Sequence, residues 1–105
     1  MAQTFRLIYA NIVKRHLRAI EKKHHSLIRK TIENQLLFEP MVETRNRKRL
    51  RQPAPFQAVW ELRFGPGNRF RVFYEKNRAA REVHILAIGV KRGNRLIVGD
   101  EEIML

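Results

Sequence analysis

The stretch Val59 to Glu75 constrains this chain more than any other. Trp60, Leu62 and Phe64 alternate with Glu61 and Arg63, the period of two that a half-buried strand requires. Gly65-Pro66-Gly67-Asn68 then supplies a reversal, because glycine tolerates the positive φ of a tight turn. Phe70, Val72 and Tyr74 resume the alternation, with Arg69, Arg71 and Phe73 on the other face. This predicts a β-hairpin with one face of aromatic and aliphatic side chains. Its other face gathers Arg63, Arg69 and Arg71 beside Glu61. Read as a solvent face, it predicts that Arg71 holds up no core and that Arg71→Ala leaves the fold intact.

The remaining elements are arranged around that hairpin. Thr4 to Tyr9 is short, β-prone and aromatic, and reads as an opening strand. Ile12, Val13, Leu17 and Ile20, then Leu27, Ile28, Ile32, Leu36 and Leu37, recur at helical spacing on either side of a polar break from Glu21 to His25. Pro40 ends the second run. The two helices are expected to form a hairpin with one apolar stripe against a sheet. Residues 41–57 read as a basic loop, because Pro53 and Pro55 lack the N–H groups of a ladder. Asn77 to Arg81 reads as a turn, and Val83 to Val90, apolar apart from His84, as a central strand. The expected fold is one α+β domain over residues 1–105. It is a small antiparallel sheet with an N-terminal strand and helical hairpin, in the order β-α-α-β-β-β.

Charge narrows the function. Lys and Arg number 22 against 10 Asp and Glu, a net +12, while 44% hydrophobic residues still suffice for a core. Arginine dominates the cations, and its planar fork suits bidentate phosphate contacts. Arg45, Arg47, Lys48, Arg49 and Arg51 form the densest cluster, with no acidic residue between Glu43 and Glu61. With Arg69 and Arg95 they are candidate nucleic-acid contacts. Asp100, Glu101 and Glu102 reverse the sign before Ile103, Met104 and Leu105, a segment suited to fold back onto the basic body.

Several chemistries are excluded. Cysteine is absent, and the chain has a single serine, Ser26, and a single aspartate, Asp100, so neither thiolate sites nor a serine triad can be built. Gly65 and Gly67 begin a dinucleotide fingerprint that Phe70 breaks. His16, His24 and His25 offer no i, i+4 pair for a metal and read as exposed helical polarity, and no cofactor is implied. His84 reads first as a hydrogen-bonded core histidine and second as a proton carrier. The longest apolar run, Ile85 to Val90, is far too short to cross a bilayer, and Met1 to Tyr9 has no long apolar region of a signal peptide.

Arg63, Arg69, Arg71, Lys91, Arg92 and Arg95 can form one cationic constellation. Such a site can cleave RNA without metal, since arginines stabilise the charge on the phosphate oxygens. Proton transfer would fall to Glu61, His84, Tyr74 or Lys91. A phosphate-binding surface without chemistry explains the same arginines.

Taken in order, Leu50-Arg51-Gln52-Pro53, Trp60-Glu61-Leu62-Arg63, Arg69-Phe70-Arg71-Val72-Phe73-Tyr74 and Ile85 to Arg92 resemble the RelE/ParE toxin superfamily of bacterial toxin-antitoxin systems. The resemblance implies a cytoplasmic toxin held inactive by an acidic antitoxin, with operator DNA reached through that complex. In the RelE branch it implies a ribosome-dependent endonuclease that cuts mRNA and so inhibits translation. It places Arg71 as the phosphate-binding arginine, Arg63 as a basic position on the preceding strand, and Lys91 or Arg92 as the basic residue after the last strand. Glu61 stands where that branch often carries a lysine, and Ile97 or Val98 near its C-terminal catalytic tyrosine. His84, Glu61 or Lys91 would then substitute for the tyrosine. Alternatively, the chain belongs to the gyrase-inhibiting ParE branch, or is a basic nucleic-acid-binding module.

Overall fold

A computed structural model describes residues 4–77 and 80–103. Its strands are β1 (Arg6–Tyr9), β2 (Arg47–Arg49), β3 (Trp60–Phe64), β4 (Phe70–Asn77), β5 (Glu82–Arg92), β6 (Arg95–Val98) and β7 (Glu101–Ile103). Its helices are α1 (Val13–Arg18) and α2 (His25–Leu36), and a 3₁₀ turn, Lys22–His24, leads directly into α2.

The expected order β-α-α-β-β-β is overturned. All seven strands join one sheet, in the order β2-β3-β4-β5-β6-β7, with β1 lying parallel to β5 and every other pair antiparallel. The helical pair is also lopsided, six residues in α1 against twelve in α2. Two segments account for the extra strands. Arg47–Arg49 pairs with Trp60–Leu62 as the edge strand β2, because Pro53 and Pro55 lie beyond it, and an edge strand can be wholly cationic while keeping Lys48 and Arg49 in solvent, with Arg47 alone buried. Residues 95–103 form β6 and β7 around glycine turns at Gly93 and Gly99, both at positive φ. The acidic segment thus folds back as strand β7 through Ile103, while Met104 and Leu105, like residues 78 and 79 of the expected turn, lie outside the described residues.

β5 organises the sheet. β4 runs along one flank, and the opposite flank is divided between β1, paired at Glu82–Ile85, and β6, paired at Val90–Arg92. Gly89 allows that arrangement, since a Cβ there would stand 2.6 Å from Val98 Cγ2 and 2.8 Å from the Ile97 carbonyl oxygen.

Two apolar layers enclose the sheet. Trp60, Leu62, Phe70, Val72, Tyr74 and Ile85 pack against Ile28, Ile32 and Leu36 of α2 on one face. On the other face Phe73, Ala87, Leu96 and Val98 form a smaller core under Leu50 and Phe56 of the loop before β3. The hairpin face expected to meet solvent is therefore partly covered, and Phe73, Glu61 and Arg71 are all buried.

Candidate functional site

Strand alternation fixes the site. Glu61 and Arg63 project from β3 on the face opposite α2, and the register sets Arg63 directly across from Arg71 on β4. Two guanidiniums facing each other would repel. Glu61 resolves the conflict: Arg63 Nε donates to Glu61 Oε1 at 2.6 Å, and Arg71 Nη1 donates to Glu61 Oε2 at 3.4 Å. Arg71 Nε also donates to the Asn68 carbonyl at 2.8 Å, fixing one edge of its guanidinium to the hairpin turn. Side-chain exposure is 9% for Arg71 and 5% for Glu61 but 39% for Arg63, so the row is buried at one end and open at the other.

Neighbouring strands add charge. Lys48 on β2 is exposed and stands directly opposite Glu61. Gly89 on β5 lies opposite Arg71, and Lys91, two residues on, shares that face. The Lys91 N–H donates to the Arg69 carbonyl at 2.7 Å, which ties it to the mouth of the hairpin. Arg92 projects to the other face. Of the two candidate basic residues after the central strand, only Lys91 faces the row.

Other expected members lie elsewhere. Arg69 turns toward the helices, where its Nη2 lies 3.1 Å from His24 Nε2 and its guanidinium covers the Phe70 ring at 5.0 Å. Arg47 is buried, 7% exposed, and is a structural tie: its Nη1 donates to Gln35 O at 2.7 Å and Gln35 Oε1 at 2.9 Å, and its Nε to Val42 O at 2.9 Å. The last turn of α2 has no basic residue of its own, so Arg47 supplies the cation that the helix C-terminus favours. Arg45 and Arg51 remain exposed and form, with Lys48, a basic fringe beside the row, whereas exposed Arg49 stands opposite Trp60 and projects to the α2 face. Arg92 and Arg95 are exposed at the far hairpin, where Arg95 Nε pairs with Glu102 at 3.3 Å.

The proton-carrier candidates divide sharply. Tyr74 is buried and donates to the Pro40 carbonyl at 2.6 Å, and burial pushes its hydroxyl pKa far up. His84 is five residues along β5 from Gly89, roughly 17 Å at about 3.3 Å per residue. It pairs there with Glu82 at 3.1 Å. Hydrogen bonds from Arg6 and His84 hold the Glu82 carboxyl below the usual carboxylate range. Glu61 and Lys91 are the candidates that share a face with Arg63 and Arg71.

A histidine expected at the surface is buried instead. His16, read as exposed, is 5% exposed, and its Nδ1 accepts the Ile88 N–H at 3.2 Å. Ile88 lies on β5 between the stretches claimed by β1 and β6, so His16 satisfies a donor that neither strand reaches. Burial foremost, then the Arg15 charge, lowers the His16 pKa, with Glu101 opposing them. The signal was present: Val13, His16, Leu17 and Ile20 follow the i, i+3, i+4, i+7 spacing of one helix face.

Among the described residues no three His, Cys, Asp or Glu side chains gather as a metal-binding group, and no helix is long and apolar enough to cross a membrane. Comparison with family models, curated proteins and solved structures returned no match.

Proposed function

We propose that this chain is a cytoplasmic toxin of the RelE/ParE kind that binds mRNA on the ribosome and cleaves it without metal, with Arg63 and Arg71 holding the scissile phosphate. The observation that carries this reading is the Arg63–Glu61–Arg71 row on one sheet face. Buried ion pairs stabilise folds poorly compared with apolar residues of similar size, so charge retained beside the Phe73 core points to a task other than folding. Two guanidiniums, one of them buried, stabilise the extra charge of a pentacovalent phosphorane better than they would if both were fully hydrated. In this reading Glu61 and Lys91, on the same sheet face, carry protons from the 2′-hydroxyl and to the leaving 5′-oxygen. The fringe of Arg45, Lys48 and Arg51 would steer RNA to the row at any sequence.

The toxin reading includes an acidic antitoxin, through which operator DNA would be reached. A groove of about 390 Å³ between β1, α1 and α2 supports it, since Val13, Leu17, Ile28 and Ile32 line it beside Lys14 and the Arg29–Glu33 pair. Exposed Tyr9 borders the same groove. An amphipathic helix bearing Asp and Glu matches that pattern.

The test is mapping of reporter-mRNA 5′ ends after brief induction in bacteria, with wild type and Arg63→Ala compared. Because Arg71 is buried, Arg71→Ala perturbs the fold and cannot serve; half-exposed Arg63 is the cleaner position. New ends within codons that vanish in Arg63→Ala support the nuclease. Arrest with a DNA-damage response and no new ends supports gyrase inhibition instead.

A further inference from the structure

We infer that Glu61 is an internal counter-ion occupying the phosphate fork of Arg63 and Arg71, so that RNA engages this site by displacing the Glu61 carboxylate. The inference rests on the proposed RNA-binding reading and concerns what holds the site closed.

The geometry is that of an occupied anion site. One carboxylate accepts from two guanidiniums, at 2.6 Å from Arg63 and 3.4 Å from Arg71, each through a different oxygen. Carboxylates and phosphodiesters present similar paired acceptor oxygens to a guanidinium, and both carry one negative charge. Exchanging one for the other conserves the local charge, so buried Arg71 is never left uncompensated. Its position would hardly change, because Nε remains bonded to the Asn68 carbonyl.

The exit is also visible. Arg63, with 39% of its side chain exposed, is the solvent side of the fork, and the longer Arg71 contact is the weaker of the two. Exposed Lys48 stands directly across β2 and β3 from Glu61 and can receive the displaced carboxylate. The row is thus built to favour a multivalent chain, whose neighbouring phosphates sit on the fringe of Arg45, Lys48 and Arg51, over a free phosphate ion. The tethered phosphate competes with Glu61 at high effective concentration.

The test compares wild type, Glu61→Gln and Glu61→Asp by RNA titration with a fluorescent single-stranded oligonucleotide, and by melting with and without inorganic phosphate. Glu61→Gln is expected to bind RNA at least fivefold more tightly. The slope of log affinity against log salt should stay close to that of wild type, because the same phosphate fills the fork in both proteins and only the competition from Glu61 is lost. Its melting temperature should fall in phosphate-free buffer and recover with phosphate more than wild type does, a readout that works even if the variant is unstable. Glu61→Asp, which keeps the charge, should stay within about twofold of wild type. RNA affinity in Glu61→Gln that is unchanged or weaker, with no preferential rescue by phosphate, overturns the inference while Arg63-dependent binding by wild type keeps the RNA reading alive. Wild-type binding that ignores Arg63→Ala overturns both.

Discussion

Arg47 lies in the densest basic cluster of the chain, yet replacing it should damage folding rather than RNA binding. Its guanidinium makes three hydrogen bonds of 2.7–2.9 Å to Gln35 and Val42 while 7% exposed. Arg47→Ala leaves the Gln35 and Val42 carbonyls without their donor and removes the cation at the end of α2. Charge-assisted bonds contribute about 1.5–3 kcal/mol each, and losing them together recovers part of the desolvation cost of the guanidinium. A net loss of about 3 kcal/mol follows, which in a domain near this size lowers the melting temperature by roughly 12–20 °C. Urea unfolding gives the stability directly. RNA titration below the new melting point should show affinity and salt slope within about twofold of wild type. A variant within about 0.5 kcal/mol of wild type that loses affinity, with a salt slope lower by about one, would show that Arg47 contacts phosphate and refute the reasoning.

Other consequences can be checked separately. His16 has a folded-state pKa below its ordinary 6.5, so it contributes fully above that pH and its stabilisation is lost as pH falls toward the folded value. Unfolding free energy should decline below about pH 6.5 in wild type, and less so in His16→Gln, whose side-chain carbonyl can still accept from Ile88. Gly89→Ala places a methyl 2.6 Å from Val98, which should cost about 2–3 kcal/mol and expose the β6 amides to hydrogen exchange. Lys91→Ala should weaken RNA binding several-fold more than Arg92→Ala, because only Lys91 shares the face of Arg71; equal losses in a titration would contradict the register argument.

Local periodicity made much of this molecule legible. Alternation in 60–64 and 70–74 reported which side chains face α2, and Gly65–Asn68 reported the turn between them. Alternation states only which side a residue faces, not what covers that side, and this is why Arg71 read as solvent-exposed. The smaller core on that face is built by Leu96, Val98 and the loop through Phe56, segments of at most four strand residues, too short to carry a periodic signal. Arg69 broke the alternation because it adjoins the turn, where its stem swings to the His24 side. Arg47 shows the reverse limit. A cation run has no internal mark separating the one guanidinium that ends a helix from its exposed neighbours; Arg47 and Arg49 even share the α2 face, and the bonds to Gln35 and Val42 distinguish Arg47. Of the residues the resemblance implies, Arg63, Arg71 and Lys91 share one face, whereas Arg92 projects to the other and His84 lies far down β5.

The claim that the Arg63–Glu61–Arg71 row is an RNA phosphate site is tested most directly by NMR of arginine Nε–H resonances during titration with a short single-stranded RNA. The account predicts that Arg63 and Arg71 shift together and saturate at one equivalent, while Arg47 stays fixed. Shifts confined to exposed Arg45, Arg49 and Arg51, with Arg63 and Arg71 unmoved at saturation, would contradict it.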